Sequence, residues 1–223
     1  MKRFSYFSNS EILIWASSAA VIVLTYFGFG SRGLLPLIAS LIGVTSLIFC
    51  AKGNPVGQAL MLVFSALYSL IAYSRAYYGE VVTYLGMTAP MALFALIAWL
   101  RHPFRGKKSE VAVNALPKRE YPLIFLLTAV VTAVFGIILS AWDTANLALS
   151  TVSVATSFLA VALTFRRSPL YALAYAANDI VLIALWIAMR DWSVVTCFAV
   201  FFVNDLYGFY SWQRMQKRQK VPR

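Results

Sequence analysis

The sequence is poor in charged residues, above all in acidic ones. Only 12% of its 223 residues are charged, with 8 Asp and Glu against 19 Lys and Arg, whereas a soluble domain is about 25% charged. It has one histidine, His102, and two cysteines, Cys50 and Cys197, within apolar runs. Two cysteines exclude a disulfide-dense scaffold, and one histidine without partners builds no metal site.

Apolar residues take the place of the missing charges. The chain is 61% hydrophobic with a mean hydropathy of +0.75, which is more apolar surface than a soluble globule of this length hides. It has no Walker phosphate-binding loop, so it does not itself hydrolyse ATP. The composition therefore excludes a soluble enzyme and predicts an all-α integral membrane protein.

Eight segments are apolar and long enough to cross a bilayer, which takes about 20 residues in a helix. They are residues 11–29, 34–50, 55–73, 80–99, 121–140, 145–165, 169–189 and 192–212. Pro55 and Pro169 each lie in the first turn of a span, where the missing N–H is tolerated. The sequence thus predicts about eight transmembrane helices.

The positions of the basic residues test this count. With eight spans both termini lie on one side, and 16 of the 19 basic residues fall there; the other side has only Arg32, Arg75 and Arg190. Cytoplasmic loops collect Lys and Arg, so we expect both termini and the basic 100–120 loop in the cytoplasm. The loop then contacts anionic lipid, and the charge of +11 requires no nucleic-acid partner.

The spans contain an internal repeat. The segment from Pro55 to about residue 101 resembles that from Pro169 to about residue 215, since each opens on a basic loop and closes on Trp99 or Trp212. With the preceding spans, each unit has three helices. The intervening span 121–140 restores the orientation of the second unit, so the two units are parallel. Duplicated bundles of this kind are typical of transporters, with the pathway between the halves.

These patterns divide the chain into five parts. We expect an extra N-terminal transmembrane helix at 1–30, a first three-helix repeat at 31–100, a cytoplasmic loop and linker helix at 101–144, a second repeat at 145–213 and a basic cytoplasmic tail at 214–223.

Two Asn-Asp pairs lie within the last two spans, Asn178-Asp179 and Asn204-Asp205, at similar depth. Ionisable side chains in a span are costly and usually functional. Carboxylate and amide groups replace the lost hydration of a polar or cationic substrate. The alternative is that each pair hydrogen-bonds to a neighbouring helix and only joins the two helices.

Aromatic residues accompany these pairs at helical spacing. A flat cationic ring gains cation–π attraction from such side chains; alternatively the aromatics only pack or belong to the interfacial belts. The matching polar residues of the first repeat are fewer and more often structural. The candidate substrate-binding residues are Gln58, Tyr68, Tyr84, Tyr175, Asn178, Asp179, Trp186, Asn204, Asp205, Tyr207 and Trp212.

From about Gly33 to Arg214 the sequence resembles the PnuC-type vitamin transporters, whose best-known members carry nicotinamide riboside. The resemblance rests most on the motif Asn-Asp-Leu-Tyr-Gly-Phe-Tyr-Ser-Trp at 204–212. Further matching motifs are Ala51-Lys52-Gly53, Tyr68, Tyr78-Gly79, Pro90-Met91 and Trp99 in the first repeat, and Leu149-Ser150-Thr151, Asn178 and Trp186 in the second.

The resemblance implies a SWEET-like bundle of three, one and three helices that assembles as a homotrimer in the bacterial inner membrane. It implies facilitated diffusion, with the substrate trapped by a cytoplasmic kinase. From the residues we expect no cofactor and no metal. By motif, Asn178 and Asn204 are the first binding residues, followed by Trp186, Tyr207 and Trp212.

Three functions stay open at this point. The first is passive uptake of nicotinamide riboside. The second is uptake of another vitamin or nucleoside such as thiamine, which is also a cationic aromatic. The third is proton-coupled transport, in which Asp179 or Asp205 relays the proton.

Overall fold

The protein is a bundle of helices, seen in a computed structural model that describes residues 6–29, 33–75, 77–144 and 146–220. The residues Lys2, Arg3, Arg32 and Arg223, which enter the charge count, lie outside these ranges, as does most of the predicted break at 30–33.

Every predicted span corresponds to a helical segment. In chain order the described α-helices are α1 (Asn9–Gly28), α2 (Leu35–Ala51), α3 (Val56–Ser74), α4 (Tyr78–Thr83), α5 (Ala89–Arg101), α6 (Tyr121–Ala141), α7 (Leu147–Phe165), α8 (Tyr171–Ala188) and α9 (Trp192–Lys220). Seven helical segments, with α4 and α5 counted as one, are long and apolar enough to cross a membrane. The all-α membrane class is therefore confirmed.

The remaining span is α2, an apolar helix of 17 residues. At 1.5 Å per residue it is about 26 Å long, slightly less than the roughly 30 Å hydrocarbon core. It corresponds to the predicted span 34–50 and completes the eight predicted spans.

The fourth span is interrupted by a π turn. Residues Tyr84–Thr88 form a single π-helical turn between α4 and α5, which ends two residues before Pro90. Proline has no N–H to continue the helical ladder, and π turns are frequent at functional sites. The sequence predicts a kink at Pro90; the irregular turn begins six residues earlier, at Tyr84.

The predicted 100–120 loop contains a β-hairpin. Strands β1 (Pro103–Phe104) and β2 (Lys107–Val111) pair antiparallel around Arg105 and Gly106, both at positive φ. Val111 N–H donates to the Gly53 carbonyl at 2.9 Å. We call the end of the bundle that carries this hairpin the hairpin end, and the other end the far end.

The hairpin also explains why α9 extends beyond the predicted end of its span. The basic tail predicted from residue 214 is helical as far as Lys220. Gln219 accepts a hydrogen bond from Val113 N–H at 2.8 Å and donates to the Val111 carbonyl at 3.0 Å. Arg218 forms an ion pair with Glu110. These contacts hold the last turns of α9 against the hairpin, which span length alone does not predict.

The helices pair reciprocally across the bundle. Within the two predicted units α2 packs on α3, and α8 packs on α7 and α9. Between them α2 packs on α9 and α5 on α7, while α1 lies against α2 and α9. A pair of parallel three-helix units produces this reciprocal pattern, with α6 as the linker; the duplication itself stays a prediction.

Candidate functional site

A buried cavity lies where the two predicted units meet. Residues from α2, α3, the π turn, α7, α8 and α9 line it. The lining consists of Leu47, Met61, Phe64, Tyr84, Thr88, Ser157, Tyr175, Asn178, Asp179, Phe198, Phe201 and Asp205. Five of the predicted site residues, Tyr84, Tyr175, Asn178, Asp179 and Asp205, thus come together here. We call this space the central cavity.

Two carboxyl groups face each other in the central cavity. Asp179, at the middle of α8, and Asp205, on α9, are almost fully buried, and their side chains are in direct contact. No donor among the described residues reaches Oδ2 of Asp179. Two carboxyl groups this close repel each other unless a proton or a cation lies between them. The pair is therefore suited to hold a cationic group.

Aromatic rings surround the carboxyl pair. Phe64 lies 5.6 Å from both Tyr68 and Phe201 between ring centroids, and Phe198 lies 5.8 Å from Phe201. Rings of this kind bind flat aromatic ligands by stacking and cations by their π faces.

The central cavity is closed and small. It offers only ≈ 30 Å³ to the centres of water-sized molecules, room for about two waters, whereas pockets for small organic ligands measure about 300–1,000 Å³. The side chains that line it must therefore move apart before any vitamin-sized molecule enters. The structure describes an occluded conformation of the bundle.

The two asparagines of the Asn-Asp pairs differ in position. The side-chain oxygen of Asn178 accepts hydrogen bonds from Thr156 and Ser157 of α7, at 2.8 and 3.0 Å, and Asn178 lines the central cavity. Asn204 does not line the cavity. Its amide donates to Ser18 of α1 and to the Val200 carbonyl, both at 2.8 Å, so it joins α9 to the extra helix.

Three other predicted residues also lie away from the central cavity. Trp212 donates its indole N–H to the Cys50 carbonyl at 2.7 Å near the hairpin end. Gln58 contacts the sulfur of Cys50 at 3.2 Å. Tyr207 lines an open groove at the hairpin end together with Glu11 and Lys52. A stripe at helical spacing identifies the face of a helix but not the depth at which each side chain meets the pathway.

Tyr68 and Trp186 lie towards the far end. Tyr68 contacts Tyr84 at 4.3 Å and Trp186 at 6.1 Å between ring centroids. Trp186 lines a second, smaller cavity, which we call the far cavity, together with Tyr77, Gly79, Glu80, Thr144, Ser150, Leu185 and Met189.

Sequence reasoning missed Glu80. It opens the predicted span 80–99, where an acidic residue is normally interfacial, yet it is only 4% exposed. A usable signal was its position four residues before Tyr84, which places both on one face of a helix. Across residues 6–29, 33–75, 77–144 and 146–220, no three His, Cys, Asp or Glu side chains lie close enough together to bind a metal ion.

Comparison with known proteins decides the family. The family model described as "Nicotinamide mononucleotide transporter" matches residues 33–214. The chain belongs to this transporter family. The predicted resemblance, which runs from Gly33 to Arg214, is thereby confirmed, and α1 lies before the part that the nicotinamide mononucleotide transporter model matches.

Two curated relatives carry a different substrate in their name. The chain is 25% identical over 221 residues to "Nicotinamide riboside transporter PnuC" of Neisseria mucosa, covering 92% of this chain and 84% of the relative. It is 23% identical over 185 residues to the protein of the same name from Haemophilus influenzae, covering 82% and 81%. The substrate in the family name, nicotinamide mononucleotide, differs by one phosphate group from nicotinamide riboside, the substrate in the relatives' names.

A solved structure has the same fold. The "Crystal structure of the Vitamin B3 transporter PnuC" aligns with a TM-score of 0.83 at 21% identity, covering 96% of this chain and 94% of that one. The shared fold therefore extends over nearly the whole chain, and the protein is a multi-pass membrane protein.

Proposed function

We propose that this protein carries nicotinamide riboside across the membrane by facilitated diffusion. The observation that carries the proposal is the contact between Asp179 and Asp205 inside an aromatic-lined, buried cavity between the two halves of the bundle. A pyridinium ring is flat, aromatic and positively charged, and two carboxyl groups with π faces around them match all three properties. The chain itself catalyses no reaction in this proposal.

The charge of the central cavity favours the riboside over the mononucleotide. The side chains that line it include two aspartates and no Lys or Arg. A phosphate group buried beside two carboxylates without a basic partner pays a large desolvation and repulsion penalty. The names of the two curated relatives agree with this choice.

We place the hairpin end in the cytoplasm of a bacterium, with the protein in the inner membrane. The hairpin and the last turns of α9 carry seven of the 15 described basic residues, among them Lys107, Lys108, Arg214 and Lys217, and positive charge collects on the cytoplasmic side. Substrate that leaves at this end meets a cytoplasmic kinase, whose phosphorylation traps it.

A ligand panel tests the substrate. Isothermal titration of the purified protein with nicotinamide riboside, nicotinamide mononucleotide, thiamine and uncharged nicotinamide should show saturable binding of the riboside, weakened by Asn178→Ala. Binding of thiamine alone would replace the riboside by the second candidate, since thiamine is also a cationic aromatic and the carboxyl pair suits both.

Transport in proteoliposomes tests the mechanism. Vesicles contain no kinase, so facilitated diffusion predicts that the riboside reaches equal concentration on both sides and stops. The contact between two carboxyl groups specifically favours one alternative, a proton-coupled carrier that uses Asp179 and Asp205. A proton-coupled carrier would accumulate the riboside inside the vesicles in response to a pH gradient. If no accumulation occurs, proton coupling is excluded.

We further propose that the protein assembles as a homotrimer, as its resemblance to the PnuC-type family implies. α6 and α7 leave a wide, open groove of small and hydroxyl-bearing side chains, including Ala133, Gly136 and Thr151. Such residues let helices of separate copies approach closely in lipid. Light scattering in detergent should give three copies per particle, with Ala133→Leu reducing this species and Val130→Leu, on the exposed surface of α6, leaving it intact.

A further inference from the structure

Glu80 is a buried carboxylate without a described partner. It lies in α4, is 4% exposed, and its Oε2 atom receives no hydrogen bond from any described residue. Leaving a charged or polar group buried and unpaired costs several kcal/mol by order of magnitude, so a side chain of this kind usually has a ligand. Neither the carboxyl pair of the central cavity nor the helix packing uses it.

The far cavity supplies a matching surface for such a ligand. Glu80 and Trp186 line it together, and the ring of Tyr77 lies 5.0 Å from that of Trp186. The guanidinium of Arg75 lies 6.0 Å from the Trp186 ring centroid, in cation–π geometry. The indole face already holds one cation, which shows that its position suits a positive charge.

The same arginine also pairs with an acidic residue of the second predicted unit. Arg75, at the end of α3, forms an ion pair with Asp191, in the turn between α8 and α9. The pair joins the two predicted units at the far end. The far cavity has room of only ≈ 10 Å³ for water-sized centres, so its side chains must move apart before a vitamin-sized molecule enters it.

Tyr68 and Tyr84 separate the far cavity from the central cavity. Their rings lie 4.3 Å apart, and Tyr68 also contacts Trp186. Tyr84 lines the central cavity with Asp179 and follows Glu80 by four residues, about one helical turn, so it lies between the two acidic sites. It is also the first residue of the π turn, where helix geometry is already irregular.

We propose that Glu80 and Trp186 form a second, transient cation subsite at the far end, through which a positively charged aromatic substrate passes before it reaches Asp179 and Asp205. The substrate ring displaces the Arg75 guanidinium from the face of Trp186. Glu80 then neutralises the positive charge of the substrate ring. Movement of Tyr84 then opens the way to the central cavity. This inference rests on the proposed transport of a cationic vitamin.

The test compares nicotinamide riboside with its uncharged reduced form, dihydronicotinamide riboside. The two molecules have nearly the same shape and differ in the charge of the ring. Initial uptake into proteoliposomes at subsaturating concentration is measured for the wild-type protein, Glu80→Gln, Glu80→Asp and a control, Glu110→Gln, which removes an acidic charge at the hairpin end.

Glu80→Gln should slow uptake of the cationic riboside by about tenfold, in line with the loss of a desolvated charge partner, and change uptake of the reduced form by less than about twofold. Glu80→Asp should retain most of the rate for the cation, and Glu110→Gln all of it. Titration of Glu80→Gln should give an unchanged equilibrium affinity at the central cavity, which also shows that the variant is folded.

Equal slowing of both ribosides by Glu80→Gln would overturn the subsite and assign Glu80 to the structure of the bundle. Unchanged uptake of the cation would overturn it as well. If the wild-type protein carries neither riboside, the proposed function fails and the subsite with it. That outcome is distinct from failure of the subsite alone, because it is already seen in the wild-type protein.

Discussion

The indole rings of Trp99 and Trp212 lie 5.4 Å apart near the hairpin end, and each donates across to the other half of the bundle. Trp99, at the end of α5, donates to the Thr164 carbonyl of α7 at 3.0 Å. Trp212, on α9, donates to the Cys50 carbonyl of α2 at 2.7 Å. Both acceptors are the penultimate residues of their helices, so the two bonds correspond to each other and join the predicted units.

Trp99→Phe and Trp212→Phe should each lower the free energy of unfolding by about 1–2 kcal/mol, because each removes a buried hydrogen bond between the two halves and part of a buried aromatic side chain. Thermal unfolding in detergent, followed by size-exclusion chromatography, measures the change. Trp142→Phe is the matched control, since Trp142 is 55% exposed and should change stability by less than about 0.5 kcal/mol. A control as unstable as the two variants would contradict the assignment.

Asp179→Asn and Asp205→Asn should each weaken binding of a cationic ligand by about tenfold or more, because each removes one of two charges that neutralise it. The double variant should lose less than the product of the two, since the carboxyl groups are in contact and their effects are not additive. Isothermal titration measures both. Asp143→Asn, at an exposed position near the far end, should bind normally; unchanged affinity in both single variants would exclude the pair as the cation site.

Asn204→Ala should affect stability more than substrate affinity, in contrast to Asn178→Ala. Its amide joins α9 to Ser18 of α1 rather than to the central cavity. Ser18→Ala should have a smaller effect, because it removes only the bond to Asn204, worth about 0.5–1.5 kcal/mol, and leaves the bond from Asn204 to the Val200 carbonyl. The double variant should be little worse than Asn204→Ala alone, because both substitutions remove the same bond between the two side chains. A strong loss of affinity in Asn204→Ala with unchanged stability would show that Asn204 reaches the substrate in another conformation.

Gly57→Ala should destabilise the bundle by about 1–3 kcal/mol through overpacking. A Cβ at this position would lie 2.6 Å from the backbone nitrogen of Cys50 and 2.9 Å from the Ser46 carbonyl oxygen, and backbone atoms cannot rotate away. Gly28→Ala is the control, since its Cβ meets nothing within 4 Å. Thermal unfolding in detergent separates them, and equal midpoints would show that α2 and α3 adjust without strain.

The spans were accessible to prediction because hydrocarbon thickness sets the length of an apolar helix. The predicted ends of most spans fall within about two residues of the helices, and Lys52 and Arg166 lie in breaks, as the alternation of apolar and basic segments indicates. The exceptions are the hairpin at 103–111 and the extension of α9 to Lys220. Both depend on contacts between segments far apart in the chain, such as Gln219 with Val111, which no local pattern encodes.

The candidate site was predicted only in part. Carboxylates within apolar spans stand out in a sequence because burial of charge is costly, and Asp179 and Asp205 do meet in the central cavity. The asparagines beside them looked equivalent, yet Asn204 faces α1. Successive residues of an α-helix are rotated by about 100° around the helix axis, so adjacent side chains face different neighbouring helices.

The sequence by itself determined that this chain is a multi-pass helical membrane protein and that two acidic residues lie deep in its spans, because both follow from the cost of placing charge in hydrocarbon. Only the tertiary structure decided which polar side chains share a cavity and which join helices, and that Oε2 of buried Glu80 meets no hydrogen-bond partner among the described residues. Those distinctions depend on which helix packs against which, and at what depth two side chains meet.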